Sequence, residues 1–135
     1  MTKKEKAIKL HNEGHNCAQA VACAFAEDAG IDRDIIFRAA EGFGRGMGSG
    51  ENVCGAVSGA VLIMGLLNSD GSDRKNSKLN TYFKAAEITE EFKNKNQTLI
   101  CNRLKGMPEH EPIRSCEGCI EDAVEILEKK LKEGV

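Results

Sequence analysis

Six cysteines give this 135-residue sequence its clearest capacity for chemistry. Four of them, Cys17, Cys54, Cys101 and Cys116, lie within about one turn of a predicted helix start or in a very short predicted helix. Unpaired backbone N–H groups at a helix start favour negative charge, so they stabilise a thiolate or a sulfur-bound metal. We therefore predict that these four catalytic candidates converge on one redox or metal site. Cys119 joins them as a candidate metal ligand.

Cys116 and Cys119 form a CxxC motif, whose spacing places two sulfurs on one face of a helical turn. A thioredoxin-like site requires a neighbouring βαβ pattern, and c-type haem attachment requires a histidine directly after the second cysteine; the sequence has neither. Zinc is an alternative cofactor. The pair would then be half of a tetrahedral site that Cys54, Cys101 or His110 completes.

The remaining cysteine and two histidines have weaker claims to a site. Cys23 stands six residues after Cys17, so the two point to different helix faces, and the apolar neighbours of Cys23 predict a core position. His11 is expected to fill an amphipathic helix face. His15, two positions before Cys17, could tune that thiol as a nearby cation or hydrogen-bond acceptor.

A run of alternating glycines precedes Cys54. It is not a phosphate-binding loop, because no strand precedes it and no Gly-Lys-Ser/Thr closes it. Glycines instead let the backbone wrap closely and aim N–H donors at sulfur or at a cluster. The candidate cofactor-binding glycines are Gly44, Gly46, Gly48 and Gly55. Arg45, within the run, either adds positive charge near a thiolate or is a solvated loop residue.

Composition limits the classes of partner and location. The length fits one domain, residues 1–135, with a hydrophobic core that needs no crosslinks. A net charge of -2 with interspersed signs argues against nucleic acid and anionic membrane surfaces. The charged N-terminus lacks a secretory signal, so we expect a cytoplasmic protein whose cysteines stay reduced. The longest apolar stretch, residues 53–67, is too short for membrane insertion.

The elements that must position the cysteines are all helical, because no segment alternates as a half-buried strand does. We predict a single-domain, all-α bundle of about five to six helices, with a glycine-rich loop before a buried central helix. The first three predicted helices cover residues 2–13, residues 17–28, and residues from 32 or 34 to the glycine run. The next two run from 49 or 50 to 67 and from 77 to about 93–97. A short helical turn at 100–104 follows, and the last helix begins at the Ser115 cap.

Several side chains have predicted positions in these helices. Gly55 and Gly59 form a small-xxx-small face that lets another helix approach closely. Asn16 and Ser115 are expected to cap the helices that begin at Cys17 and Cys116. Apolar side chains at helical spacing mark one stripe of the long helix: Leu79, Tyr82, Phe83 and Ala86. The carboxylates expected on an exposed face of the last helix are Glu121, Asp122, Glu125 and Glu128.

At these residues the chain resembles the small redox-active proteins named for a C...CGAxxG...C...C pattern. The matching segments are Asn16-Cys17-Ala18-Gln19-Ala20-Val21, Gly42-Phe43-Gly44-Arg45-Gly46-Met47-Gly48, Cys54-Gly55-Ala56-Val57-Ser58-Gly59-Ala60, Ile100-Cys101-Asn102-Arg103-Leu104, and Cys116 with Asp122-Ala123-Val124-Glu125-Ile126-Leu127. The similarity covers nearly the whole chain.

The resemblance implies a redox function whose four cysteines are Cys17, Cys54, Cys101 and Cys116. A similar domain fused to split-Soret cytochromes is associated with an iron–sulfur cluster, so the likeness also implies that cofactor. Cys119 stands where relatives often carry a bulky apolar residue, which leaves it as a resolving thiol, an alternative ligand or packing.

We therefore predict a protein for electron transfer or thiol–disulfide chemistry, with an unidentified redox partner protein and a homodimer as one allowed assembly. The alternative is a structural zinc module that serves as an interaction domain without redox activity. Enzymatic activity stays open, because a thiol enzyme would need a general base that the sequence does not reveal.

Overall fold

The computed structural model describes residues 1–134, and this part of the chain is all-α, as predicted. Its eight right-handed α-helices are α1 (Lys3–Asn12), α2 (Cys17–Ala24), α3 (Ala26–Ala29), α4 (Arg33–Ala40), α5 (Gly55–Asn68), α6 (Lys78–Asn96), α7 (Cys101–Leu104) and α8 (Cys116–Lys132). Within residues 1–134, no helix has the length and apolar character that crossing a bilayer requires.

Helix α5 forms the centre of the bundle, which confirms the prediction of a buried central helix. It packs against α2, α6 and α8. Its residues Val57, Ile63 and Met64 are completely buried, and Phe25 and Phe92 fill the core around it. Helix α5 begins at Gly55, so Cys54 lies at its N-terminal end.

Two predicted caps fix where cysteine-bearing helices begin. The Asn16 side chain accepts a hydrogen bond from the Gln19 N–H at 2.8 Å, and α2 begins at Cys17. The Ser115 hydroxyl accepts one from the Gly118 N–H at 2.9 Å, and α8 begins at Cys116. Each cap satisfies an otherwise unpaired N–H group, so Cys17 and Cys116 both occupy the first turn of a helix.

Two predicted helix boundaries were wrong. Helix α2 ends at Ala24, because Phe25 leaves the helical conformation with φ -108° and ψ 12°. Helix α5 starts at Gly55 rather than at residue 49 or 50. Gly50 has φ +79°, and the segment after it pairs with a distant segment instead of coiling: Val53 and Ile100 form an isolated antiparallel bridge.

The apolar stripe predicted at the start of the long helix does not face the core. Leu79, Tyr82 and Phe83 are exposed, with Leu79 at 83% of its maximal area. The buried residues of α6 come later, at Ile88 and Phe92. The N-terminal part of α6 therefore extends beyond the packed region, which helical spacing alone does not reveal.

Helices α2 and α5 cross with their backbones in contact, as the two spaced glycines predicted. A Cβ atom placed on Gly59 would lie 2.6 Å from the carbonyl oxygen of Ala18 and 3.2 Å from its Cα. One placed on Gly55 would lie 3.1 Å from the Ala18 nitrogen and 3.1 Å from the Phe43 oxygen. Backbone atoms cannot swing aside as a side chain can, so a larger residue at Gly59 would force the two helices apart, and one at Gly55 would be tightly packed.

We expect Gly59→Ala to lower the free energy of unfolding by about 1–3 kcal/mol, because the added methyl group overpacks this crossing. Gly65→Ala is the matched control in the same helix, since a Cβ there has no heavy atom within 4 Å. That control should gain about 0.5–1 kcal/mol from the lower flexibility of alanine. Urea unfolding followed by circular dichroism measures both values, and equal effects of the two substitutions would contradict the proposed crossing.

Candidate functional site

Five cysteines line one cavity of about 170 Å³. They are Cys17, Cys54, Cys101, Cys116 and Cys119, and the space they surround is called the cysteine cavity below. The other side chains and backbone around it belong to His11, Asn16, Arg45, Gly55, Leu104, Lys105 and Arg114. The structure thus brings together all five cysteines that the sequence singled out, from four separate segments of the chain.

Backbone pairing places Cys54 and Cys101 at the cavity. The Cys54 N–H donates to the Leu99 carbonyl at 2.7 Å, and the Cys101 N–H donates to the Asn52 carbonyl at 3.0 Å. These two bonds flank the bridge between Val53 and Ile100. The pairing therefore aligns the residue before α5 with the first residue of α7, although 47 positions separate the two cysteines (101 minus 54).

The glycine run packs against the cysteine-bearing segments from outside. A Cβ on Gly46 would lie 2.6 Å from the Cys101 Cβ, and one on Gly44 would lie 2.6 Å from the Asn16 Cγ. Gly55 lines the cavity itself, whereas a Cβ on Gly48 would meet no atom within 4 Å. Of the four candidate cofactor-binding glycines, one thus borders the cavity, two support its walls, and Gly48 does neither.

The glycine run also brings a cation to the cavity. Arg45, Gly46 and Met47 have φ values of 52°, 55° and 59°, a left-handed turn that the surrounding glycines permit. Arg45 lines the cysteine cavity from this turn. Arg45 is also exposed to solvent, so its position is compatible with both interpretations left open for it.

Cys17 and Cys116 form a hydrogen-bonded thiol pair. Cys17 donates to the Cys116 sulfur, and this bond is the main cause that lowers the pKa of Cys116 to about 6. Burial opposes the shift, while the positive charges of Lys105 and His11 add to it. The same hydrogen bond, followed by burial, raises the pKa of Cys17. One negative charge therefore resides on Cys116 near neutral pH, with the proton held by Cys17.

Cys54 and Cys119 form a second pair of the same kind. Cys119 donates to the Cys54 sulfur, which lowers the pKa of Cys54 and raises that of Cys119. Burial works against the lowered pKa of Cys54, but the backbone N–H groups of Ala56 and Val57 at the start of α5 also favour its thiolate. Cys54 is thus the member of this pair that ionises more readily.

Cys101 has no such thiol partner. Burial is the largest cause that raises its pKa, and the charge of Lys105 together with a hydrogen bond from that side chain opposes the increase. Lys105 stands four residues after Cys101, one helical turn away. Sequence reasoning missed Lys105, although this spacing was a usable signal.

Arg114, which sequence reasoning also missed, is fixed at the cavity by a buried carboxylate. Its Nε and Nη2 donate to the two oxygens of Asp122 at 3.1 and 3.2 Å. Lys95 and Asn96 bind the same carboxylate at 3.0 and 3.1 Å. A Cβ on Gly118 would lie 2.6 Å from the Arg114 Cζ, so the guanidinium lies directly over that glycine.

The prediction that Asp122 is exposed was wrong, since only 1% of its surface is accessible. Burial by itself would raise the pKa of Asp122. The hydrogen bonds from Arg114, Lys95 and Asn96 together outweigh burial and lower the pKa. Its partners come from α6 and from the segment before α8, so the helical pattern around Asp122 gave no sign of them.

The positions of the two histidines near α2 are the reverse of those predicted. His11 lines the cysteine cavity, and its Nδ1 lies 3.0 Å from the His15 carbonyl oxygen. His15 instead packs edge-on against Phe37, with ring centroids 4.9 Å apart, and burial lowers its pKa. The expectation that His11 only fills a helix face was therefore wrong, and His15 does not line the cavity.

Two further candidates lie away from the cysteine cavity. Cys23 is completely buried in the core, where its sulfur lies 3.8 Å from the Arg33 carbonyl oxygen. This agrees with its predicted core position. His110 is exposed and does not line the cavity, which removes one of the ligands considered for a zinc site.

Sequence comparison adds the family. A sequence model described as "Putative redox-active protein (C_GCAxxG_C_C)" matches residues 15–130. The chain belongs to this family. A curated relative from Archaeoglobus fulgidus, named "Uncharacterized protein", is 29% identical over 141 residues, which cover 96% of this chain and 93% of the relative. No solved structure matches the chain.

The cysteine cavity offers sulfur atoms from four segments of the chain as possible ligands. Among residues 1–134, no three His, Cys, Asp or Glu side chains are placed to hold a single ion. The sulfurs of this C_GCAxxG_C_C protein surround a space instead of converging on a point. Soft thiolate donors with neighbouring cations are the donor set that iron–sulfur clusters use, so the residues fit such a cluster.

We expect the alkylation rate of Cys116 to reach half of its maximum near pH 6, the pH at which half of its thiol is ionised. Lys105→Met should move this midpoint to higher pH, because it removes a charge that favours the thiolate. Lys78→Met, at an exposed position outside the cavity, should leave it unchanged. Mass spectrometry of haloacetamide-treated protein measures the rate, and a midpoint at about 8.5 in the unsubstituted protein would contradict the prediction.

Proposed function

We propose that the protein is a dithiol redox protein in which Cys17 and Cys116 cycle between two thiols and a disulfide. The observation that carries this proposal is the placement of Cys17 and Cys116, each in the first turn of a helix, at the same cavity. A hydrogen bond with Cys17 lowers the pKa of Cys116 to about 6. Family membership supports redox activity in general. The thiol pair supplies a specific chemical route.

Cys116 is the attacking thiol of this pair. It is half-buried, so a substrate sulfur can reach it, and it occupies the first turn of α8. A thiolate is the nucleophile in disulfide exchange, and a pKa near or just below ambient pH gives the best balance of ionisation and nucleophilicity. Cys17, whose pKa is raised, keeps its proton until the second step.

The reaction conserves atoms and electrons with a disulfide as the oxidised substrate. The Cys116 thiolate attacks one substrate sulfur, forms a mixed disulfide and releases a thiolate that takes up a proton. Cys17 then loses its proton, and its sulfur attacks the Cys116 sulfur and releases the second substrate thiol. Two protein thiols become one protein disulfide, and two electrons pass to the substrate.

A second candidate function is electron transfer through an iron–sulfur cluster, which Cys101 favours. This cysteine lines the cavity but has no thiol partner, so the dithiol reaction gives it no role. As cluster ligands we infer Cys17, Cys54, Cys101 and Cys116, with Cys119 as an alternative. A bound cluster would supply one-electron transfer. Zinc fits less well, because the sulfurs do not converge on one point.

For the dithiol proposal, we expect one equivalent of hydroxyethyl disulfide to produce a Cys17–Cys116 bridge as the first internal disulfide. Cys116→Ala should slow the initial reaction at least about tenfold, because it removes the thiolate. Cys23→Ala, which removes a cysteine outside the cavity, is the matched control and should react at the original rate. Peptide mapping after an acid quench measures the bridge; its absence from the unsubstituted protein would rule out the proposal.

For the cluster candidate, we expect reconstitution with ferrous iron and sulfide, without oxygen, to give bound iron and sulfide with broad visible absorption. Cys101→Ala should weaken this binding and still form the Cys17–Cys116 bridge, because the dithiol reaction gives Cys101 no role. Cys23→Ala should bind iron normally. Colourless, iron-free protein after strictly anaerobic purification and reconstitution would argue against the cluster.

A further inference from the structure

We propose that Cys54 and Cys119 form a second, buried dithiol that takes over the oxidation of the Cys17–Cys116 pair by internal disulfide exchange. This proposal rests on the dithiol function proposed above. It gives a role to Cys119, which is not one of the four cysteines that the family pattern implies. The protein would then hold four oxidisable thiols in two linked pairs.

The two pairs differ in their access to solvent. Cys54 and Cys119 have 5% and 2% of their surface exposed, whereas Cys17 and Cys116 are half-buried. All four line the same cavity. The outer pair is therefore the more accessible one for a bulky disulfide substrate, and we expect the inner pair to be oxidised mainly through it.

The helices place the two pairs side by side. Cys116 and Cys119 are three residues apart on α8, the spacing that puts side chains on one helix face. Their respective partners Cys17 and Cys54 come from the close crossing of α2 and α5, where a Cβ on Gly55 would lie 3.4 Å from the Cys17 Cβ. The two pairs therefore border one cavity, where an exchange between them can take place.

Within the inner pair, Cys54 is the nucleophile. It receives the Cys119 hydrogen bond, and the N–H groups at the start of α5 favour its negative charge. Cys54 precedes Gly55, whose added Cβ would lie 3.4 Å from the Cys17 Cβ, so Cys54 and Cys17 border the same part of the cavity. Cys54 is thus the inner thiol that ionises more readily, beside the helix that begins at Cys17.

The exchange is balanced without any external reagent. The Cys54 thiolate attacks the Cys17 sulfur of the outer disulfide, and Cys116 leaves as a thiolate, which its low pKa favours. Cys119 then gives its proton to Cys17, as its sulfur attacks the Cys54 sulfur and displaces the Cys17 sulfur. The outer pair returns to one thiol and one thiolate, and the disulfide has moved to the inner pair.

This transfer leaves the outer pair ready for a second substrate. The chain can then pass four electrons to two disulfide molecules before it must be reduced again, with Cys101 remaining a thiol. Because the inner disulfide is buried, we expect it to be reduced by exchange with the thiols of Cys17 and Cys116. Reduction by a large partner would therefore also proceed through Cys17 and Cys116.

The experiment follows the position of the disulfide in time. Metal-free, fully reduced protein receives one equivalent of hydroxyethyl disulfide, and samples are acid-quenched, alkylated and mapped by mass spectrometry. We expect the Cys17–Cys116 bridge first and the Cys54–Cys119 bridge later, with free Cys17 and Cys116 reappearing. With excess reagent, the chain should lose four thiols through two internal bridges.

Matched variants test the role of each pair. Cys119→Ala should stop at the outer bridge and lose only two thiols to internal bridges. Cys23→Ala, which also removes one buried sulfur from a core helix, should still lose four. In Cys116→Ala, the Cys54–Cys119 bridge should form at least about tenfold more slowly, because the outer pair no longer delivers the oxidation.

The outcomes separate this proposal from the one on which it rests. If unsubstituted protein forms the Cys17–Cys116 bridge but never the Cys54–Cys119 bridge, the relay is wrong and the dithiol function stands. If the inner bridge forms at the same rate in Cys116→Ala, the relay is also wrong. If no Cys17–Cys116 bridge forms at any time, both proposals fail.

Discussion

The close contact between α2 and α5 is the constraint on which the cysteine cavity depends. Gly59 and Gly55 let the backbone of Ala18 approach to a distance that no side chain would allow. Cys17 begins α2 and Cys54 immediately precedes α5, so this crossing brings both sulfurs to one end of the bundle. A wider crossing would still bury an apolar core, but it would separate the two thiols.

Backbone hydrogen bonds and a helix cap place the other sulfurs at the same cavity. The bridge between Val53 and Ile100 aligns Cys101 with Cys54, and the Ser115 cap starts α8 so that Cys116 and Cys119 share one face. These are backbone hydrogen bonds and caps, which define position more strictly than contacts between flexible apolar side chains. The position of the cavity therefore follows from backbone geometry, while Cys54 and Cys119 also pack as part of the hydrophobic core.

Local signals predicted much of this arrangement from the sequence. Asn16 and Ser115 act as caps, and the spacing of Gly55 and Gly59 indicated a close crossing, because each signal operates within a few residues. Features that depend on distant partners were missed. Helix α5 starts late because its preceding segment pairs with residues near Cys101, and Asp122 is buried because Arg114 and Lys95 neutralise it from other parts of the chain.

Electrostatics explains why the thiols are arranged in pairs. Five thiolates around a cavity of about 170 Å³ would repel one another strongly, and burial would add to the cost. The Cys17–Cys116 pair instead holds one proton and one charge, and Lys105 and His11 favour the thiolate of Cys116. A hydrogen bond from Cys119 lowers the pKa of Cys54 in the same way. An incoming disulfide therefore meets one ready nucleophile, Cys116, without the full cost of ionising the cavity. The fixed Arg114 keeps its place through Asp122, whereas Lys105 acts on both Cys116 and Cys101. Lys105 thus lies near Cys116, which the dithiol reaction uses, and near Cys101, which that reaction does not use.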